Sequence, residues 1–89
     1  MNVNDDWPVS LSIAETDGQT RVEARLAMPG GDQLTGCGQA RRNPADREVA
    51  RIGAQLAAAR AFSDLAGQLL HAAATAIEDS THEQARLHL

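Results

Sequence analysis

The chain has 89 residues, a net charge of −4 and eight basic residues, all of them Arg. This length fits one domain, and the acidic balance disfavours a general nucleic-acid binder, whose domain is normally basic. The single Cys excludes an internal disulfide framework and a Cys-based zinc site. No secretory signal is expected at the start of the chain, and no apolar run approaches the roughly 20 residues of a membrane span. Composition therefore predicts a soluble cytoplasmic protein.

The first two predicted elements form a β-hairpin. Apolar residues alternate with others from Trp7 to Ile13 and again from Thr20 to Met28, which predicts two strands with one buried face each. Asp17-Gly18 between them is a strong two-residue turn signal. That turn sets a register in which every apolar residue meets an apolar partner. The expected pairs are Trp7 with Met28, Val9 with Leu26, Leu11 with Ala24 and Ile13 with Val22.

A third strand is predicted from about Gln33 to Arg42, after a Pro-Gly-Gly loop. The residues on one of its faces are small, because Gly36, Gly38 and Ala40 follow Leu34 at alternate positions. Glycine within a strand marks a bulge or a close backbone approach. We therefore expect an Ala-rich helix to pack closely against this face, with Cys37 on the opposite one.

One long helix is predicted from about Glu48 to Glu78. Asn43-Pro44-Ala45-Asp46 ends the third strand, and Asp46 is suited to cap the helix N-terminus. Apolar residues then recur every three or four positions, which indicates a helical stripe that we expect to be buried. The stripe consists of Ile52, Leu56, Ala59, Phe62, Leu65 or Ala66, Leu69, Ala73 and Ile77. Arg60 and Asp64 are expected to form an ion pair, and both aromatic residues, Trp7 and Phe62, are interpreted as core.

This order of elements predicts an α+β fold, a three-stranded antiparallel meander followed by one long C-terminal helix (βββα). We expect residues 1–6 to be a disordered leader, residues 7–80 to be a single domain and residues 81–89 to be a C-terminal tail.

The predicted helix is longer than the sheet. Thirty helical residues span roughly 45 Å, whereas a nine-residue strand spans about 30 Å. Apolar residues on the part of the helix that extends beyond the sheet would be exposed to solvent in a monomer, which predicts a homodimer. The expected interface residues are Leu69, Leu70, Ala73 and Ile77. Either the C-terminal halves of two helices pack together, or each helix covers the sheet of the other subunit.

No residue pattern predicts catalysis. His71, His82 and His88 form no HxxxH motif or His/Cys cluster, so surface and tail positions are expected for them and no metal site is predicted. No base is spaced to activate Cys37, and no Walker loop, serine elbow or paired-acid signal is present. We therefore expect a protein that is not an enzyme and has no cofactor.

Arg side chains are the remaining candidates for contact with a partner. The candidates are Arg21, Arg25, Arg41, Arg42, Arg47 and Arg51. Four of them lie within residues 41–51 with two acids, a local excess of +2, and two lie on the polar face of the second strand. They form either a modest phosphate-contacting surface or a solvated face with local ion pairs. Without stacking aromatics, contact with RNA would depend on its backbone and shape.

Several segments together resemble a known family. They are WPVSLSI at 7–13, GQTRVEARL at 18–26, LTGCGQAR at 34–41, NPAD at 43–46, IG at 52–53, ARAFSDLA at 59–66 and TH at 81–82. The chain resembles the small actinobacterial proteins of unknown function that include a hypoxia- and dormancy-induced mycobacterial member. The resemblance implies a double-stranded-RNA-binding-domain-like βββα fold and a dimer, and it provides no established catalytic residues to assign to this chain. It also implies a likeness to ribosome hibernation promoting factors, and hence a role in silencing translation during dormancy.

Three functions follow as hypotheses. The first is a non-enzymatic, dimeric, stress- or dormancy-associated protein that binds the ribosome or structured RNA through the Arg residues above. The alternative is a protein–protein interaction module without nucleic-acid binding, which the net charge favours. The third is a small-ligand binder with a cleft at the dimer seam, although no residue indicates a ligand class.

Overall fold

A computed structural model of the chain describes residues 5–41 and 49–81. The elements are β1 (Val9–Thr16), β2 (Gln19–Ala27), β3 (Gln33–Arg41) and α1 (Val49–Thr81). The strands form one antiparallel sheet in the order β1-β2-β3. The predicted α+β meander with one long C-terminal helix is therefore confirmed.

The helix continues three residues beyond the predicted end at Glu78. Its 33 residues form one element of roughly 50 Å, which accounts for most of the 55 Å length of the molecule. Several predictions lie outside the described residues: most of the leader, the Asp46 cap, Arg42, Arg47, and the tail with His82 and His88.

The predicted register of the hairpin is confirmed. Val9 pairs with Leu26, Leu11 with Ala24 and Ile13 with Val22. Asp17 and Gly18 both have positive φ angles, 52° and 77°, as the tight turn of a two-residue hairpin requires. The expected pair of Trp7 with Met28 lies just beyond this ladder, whose last backbone bond runs from the Ala27 N–H to the Pro8 carbonyl at 3.0 Å.

The predicted close approach of helix and sheet is also confirmed. A Cβ atom on Gly38 would meet the backbone of Ala57 and Ala61, and one on Gly36 would lie 2.6 Å from the backbone nitrogen of Leu65. Real Cβ atoms essentially never approach another heavy atom this closely. Only glycine therefore lets α1 sit directly on β3, while Cys37 is exposed on the other face.

The helix buries only part of the predicted stripe against its own sheet. Ala57 and Ala61 are fully buried, although the predicted stripe did not include them. Of the predicted residues, Leu65 is 6% exposed and Leu69 packs against the core. Ile52, Leu56, Ala59, Phe62 and Ala66 are exposed, so the prediction was wrong for them, because two backbones in near contact leave no room between them for large side chains. Ala73 and Ile77 are exposed as well, as expected in a single chain for the part of the helix that extends beyond the sheet. The core is accordingly small. It consists of Val22, Ala24, Leu26, Ala40, Ala57, Ala61 and Leu65.

The prediction that one face of β1 is buried is wrong as well, since every residue of β1 is exposed. Helix α1 packs over β3 and β2, and a helix about 10 Å wide covers only about two strands spaced roughly 4.8 Å apart. Trp7 and Phe62 are 45% and 44% exposed, so neither of them is a core residue.

Three side chains of α1 cover the free edge of β3. Arg60 Nη1 donates to the Gln39 carbonyl at 2.6 Å, and Gln68 Nε2 donates to the Thr35 carbonyl at 2.7 Å. Between them, Asp64 Oδ2 accepts the Cys37 backbone N–H at 2.9 Å. Residues four apart lie along one line of the helix surface. These side chains therefore form hydrogen bonds with the edge of β3 in place of a neighbouring strand.

The expected ion pair between Arg60 and Asp64 is therefore wrong, because both groups bond to the β3 backbone. Among the described residues, the ion pairs join Glu23 to Arg25 and Arg21.

Candidate interaction surfaces

The sheet has a polar face that points away from α1. Arg21 and Arg25 lie on this outer face on either side of Glu23. Arg25 Nη2 is 3.2 Å from one Glu23 carboxylate oxygen, and Arg21 Nη2 is 3.9 Å from the other. The two Arg side chains are 57% and 55% exposed, and ion pairs this exposed contribute little. Both guanidinium groups are therefore accessible to a partner.

Arg41 lies on the same outer face at the end of β3. It is exposed and pairs across the ladder with Gln19, whose side chain donates to the Gln39 side chain at 2.7 Å. The structure thus brings together three of the six predicted contact residues. Arg51 is exposed on α1 instead, and Arg42 and Arg47 are among the residues that are not described.

The described acidic residues lie mostly off the outer face. Asp17 and Asp32 lie in the turn and loop between strands, and Glu78 and Asp79 lie at the end of α1. On the outer face itself, Glu23 opposes three Arg residues, so this face has a local excess of two positive charges in an acidic chain. The other positions of the face are mainly Ser, Thr and Gln.

An apolar surface, which we call the β1 shelf, lies on the opposite face of the sheet. It consists of Trp7, Val9, Leu11 and Ile13. The register places its strand residues on the same face as Val22, Ala24 and Leu26, which α1 covers. The shelf itself lies beside the helix, and its four side chains are 44–54% exposed.

A second exposed apolar surface, which we call the helix seam, runs along α1. It consists of Ile52, Leu56, Ala59, Ser63, Ala66, Leu70, Ala73 and Ile77. These positions alternate in steps of four and three, the spacing of helices that pack along one another. All eight residues are exposed.

The seam contains three of the four residues predicted at a dimer interface. The fourth, Leu69, is half-buried and packs against the core of its own chain. Sequence reasoning missed the β1 shelf, although one signal was available. A single helix cannot cover three strands, and the small residues of β3 already indicated which strand it would approach.

A shallow cleft of about 570 Å³ lies between α1 and the start of β3, lined in part by Leu34, Ser63, Gly67 and His71. Ser63 and His71 are eight residues apart, roughly 12 Å along the helix, which is too far for a nucleophile and its base. Within residues 5–41 and 49–81, no group of three or more His, Cys, Asp or Glu residues is placed to hold a metal ion. No helix in this part of the chain is long and apolar enough to cross a membrane.

The fold and these surfaces define a small α+β protein built from one three-stranded sheet and one long helix. The chain belongs to the Rv2632c-like family, whose model matches residues 5–86. Uncharacterized protein Mb1767 of Mycobacterium bovis is 48% identical over 81 residues, which cover 91% of this chain and 85% of the relative. Uncharacterized protein Rv2632c of Mycobacterium tuberculosis is 49% identical over 75 residues, covering 84% and 80%.

A solved structure shares the fold. The crystal structure of Rv2632c aligns with a TM-score of 0.82 at 46% identity, covering 92% of this chain and 96% of the other. The predicted membership in an actinobacterial family of unknown function is therefore confirmed. The dormancy link and the likeness to hibernation factors stay predictions.

Proposed function

We propose that this protein is a non-enzymatic binding protein that contacts the phosphate backbone of structured RNA or of the ribosome, and that it acts as a homodimer. The observation in support is the outer face of the sheet, where Arg21, Arg25 and Arg41 oppose the single acid Glu23. The role in stress or dormancy, through silencing of translation, is part of this proposal and depends on ribosome binding.

The chemistry of the face suits phosphate groups. A guanidinium presents a planar fork of donors that matches two phosphate oxygens. Arg21 and Arg25 are four strand residues apart, roughly 13 Å, and Arg41 is on the neighbouring strand. No aromatic residue lies on the face, so recognition is by backbone and shape. Glu23 competes for the same guanidinium groups, but its exposed pairs are weak.

Co-sedimentation with ribosomes from the host, at low and moderate salt, tests the proposal. The triple variant Arg21→Ala, Arg25→Ala, Arg41→Ala is compared with Arg51→Ala, which removes an exposed positive charge from the helix. Each lost phosphate contact makes the slope of log K against log salt concentration shallower by about 0.7 to 0.9. We expect the triple variant to bind at least about tenfold more weakly than the wild type. Its slope should be shallower by an amount that corresponds to the loss of two to three phosphate contacts. Unchanged binding of the triple variant, or no wild-type binding at either salt, contradicts the proposal.

A second candidate function is protein–protein interaction without nucleic acid. The observation that favours it is the charge distribution, because Arg21 and Arg25 already pair with Glu23 in a chain of net charge −4. Pull-down of the protein with and without nuclease separates the two candidates. An association that survives nuclease and is insensitive to salt supports this second function.

A further inference from the structure

A carboxylate lies at the centre of the positively charged outer face of the sheet. Glu23 is on the middle strand, where its cross-strand neighbours are Ser12 on β1 and Cys37 on β3. Arg21 and Arg25 precede and follow it on the same face. The Glu23 side chain is 31% exposed, whereas both Arg side chains are more than half exposed. A surface that only attracted phosphates would gain from an uncharged residue at this position, because a carboxylate repels them.

We propose that Glu23 accepts a hydrogen bond from a ribose 2′-hydroxyl and that the outer face thereby selects RNA over DNA. The inference rests on the phosphate contact proposed above and identifies the residue that determines its specificity. Phosphate groups are common to both nucleic acids, so contacts with them position a ligand without distinguishing the two. The 2′-hydroxyl is the group by which a protein distinguishes RNA from DNA at a given site.

The hydrogen-bonding capacity of the carboxylate suits this role. An ionised carboxylate only accepts hydrogen bonds, at about four lone-pair sites, and the Arg25 and Arg21 guanidinium groups approach one oxygen each. Sites on both oxygens therefore remain for a further donor. A hydroxyl that donates to a carboxylate forms a short bond, roughly twice as strong as a bond between neutral groups. Deoxyribose has no donor at this position, so DNA would remove water from Glu23 and provide no replacement.

The order of charges along β2 matches the order of groups along a nucleic-acid strand. Arg21, Glu23 and Arg25 present a cation, an anion and a cation at alternate positions, and in a nucleic-acid strand a sugar lies between successive phosphates. The Nη2 atoms of Arg25 and Arg21 are 3.2 and 3.9 Å from the Glu23 carboxylate. Each guanidinium has five N–H donors, so it can bond to Glu23 through one nitrogen and to a phosphate through another. Two phosphates held in this way would bring the intervening sugar to the carboxylate.

Neighbouring positions of the face provide further groups that suit sugars. Ser10 and Thr35 flank Arg25 across the two ladders, and Ser12 is opposite Glu23. All three hydroxyl-bearing residues are exposed, and a hydroxyl both donates and accepts, as the ribose hydroxyl does. None of the outer-face positions on the described strands is aromatic, so this face has no platform on which a base would stack.

The shape of the face also favours RNA. Three strands spaced roughly 4.8 Å apart form a surface about 10 Å wide, which is too broad for the B-DNA minor groove of about 6 Å. A-form RNA has a wide, shallow minor groove that displays the 2′-hydroxyls. The surface of a sheet can therefore reach these hydroxyls without entering a deep groove.

Fluorescence anisotropy with three hairpins of one base sequence tests the inference. The probes are an RNA hairpin, its 2′-O-methyl derivative and the corresponding DNA hairpin, each titrated with the full chain. The 2′-O-methyl derivative retains the shape of RNA but lacks the hydroxyl donor. We expect the wild type to bind the RNA hairpin at least about tenfold more tightly than either of the other two, the difference typical of a hydrogen bond to a charged group.

Two variants separate the role of Glu23 from that of overall charge. Glu23→Ala removes both the acceptor and the repulsion of phosphates, so it should bind the DNA and 2′-O-methyl hairpins more tightly and prefer RNA by less than about threefold. The matched control is Glu15→Ala, which removes the same charge from an exposed position of β1 on the opposite face of the sheet. It should change the affinity for the three hairpins equally and retain the full preference for RNA. Circular dichroism should show both variants folded.

Equal binding of the wild type to the three hairpins would overturn the inference, and so would a Glu23→Ala variant that retains the full preference for RNA. A wild type that binds none of the hairpins overturns it as well. The proposed phosphate contact is judged separately, by co-sedimentation of the triple Arg variant with ribosomes. If that variant binds more weakly than the wild type, the phosphate contact stands even where the selection of RNA by Glu23 has failed.

Discussion

Replacement of Gly38 or Gly36 by Ala should destabilise the fold, although Ala is normally the better residue in a strand. The added Cβ of Gly38→Ala would meet the backbone of Ala57 and Ala61, and that of Gly36→Ala would lie 2.6 Å from the Leu65 nitrogen. Backbone atoms of a helix cannot rotate away as a side chain can. The helix must therefore move off the sheet.

The distance that the helix must move determines how much stability each variant loses. Ordinary contact begins at 3.4 Å, so α1 must shift by about 1 Å, and a gap of 0.5–1 Å forfeits a quarter to a half of each dispersion contact. The loss extends along the small core of Val22, Ala24, Ala57 and Ala61. We expect each variant to lose about 3 kcal/mol, the upper end of overpacking costs, and so to unfold roughly 12–24 °C lower, at 4–8 °C per kcal/mol in a domain of this size.

Thermal and urea unfolding of both variants measure this effect. The matched control is Gly67→Ala, because a Cβ at Gly67 meets nothing within 4 Å. In a helix interior this exchange should raise stability by about 0.8–1.0 kcal/mol. If Gly36→Ala and Gly38→Ala are as stable as the wild type, α1 does not rest on the β3 backbone and the account of the core is wrong.

Three further predictions concern the helix and the outer face of the sheet. Gly53→Ala should stabilise the protein by up to about 1 kcal/mol, because the new Cβ meets only Thr20 Oγ1 at an ordinary 3.5 Å; a lower melting temperature would contradict this. The triple Arg variant of the outer face should show a shallower dependence of ribosome affinity on salt, and an unchanged slope would contradict the contact. Leu70→Arg, at an exposed residue of the predicted dimer interface, should lower the mass seen by light scattering without loss of helical signal, and a retained dimer would contradict that interface.

The register of the sheet was predictable because two independent signals agreed. Alternation places Val9, Leu11 and Ile13 on one face, and the Asp17-Gly18 turn fixes their partners, so a slip by one residue would place apolar side chains opposite polar ones. The close approach of helix and sheet was predictable because Gly36 and Gly38 occupy the same face of one strand.

The buried face of the helix was not predictable from periodicity. The helix sequence contains two apolar stripes that are offset by one position. One stripe has large side chains, such as Ile52 and Leu56, and the other has small side chains, such as Ala57 and Ala61. Hydrophobicity favours burial of the stripe with large side chains, but close packing against a glycine-lined strand buries the stripe with small ones. The exposure of β1 was missed for a related reason, because alternation shows which side chains share a face and not whether another element covers that face.

The bonds along the edge of β3 provide the last prediction. The Cys37 N–H points away from β2 and is bonded by Asp64 Oδ2, whereas the neighbouring Gly38, paired with Val22, directs its N–H toward β2. Asp64→Ala should therefore speed hydrogen exchange of the Cys37 amide by at least about tenfold and cost about 1 kcal/mol, with little change at Gly38. Asp64→Asn retains an acceptor oxygen and should retain the protection.

Equal exchange of the Cys37 amide in the wild type and Asp64→Ala would show that the helix does not cover this edge. The expected result has a consequence for assembly. An unpaired strand edge invites other strands, and the chain covers the edge of β3 while every residue of β1 stays exposed. In the proposed homodimer, contact between the two copies is thereby directed to the β1 side of the sheet, where the uncovered apolar side chains also lie.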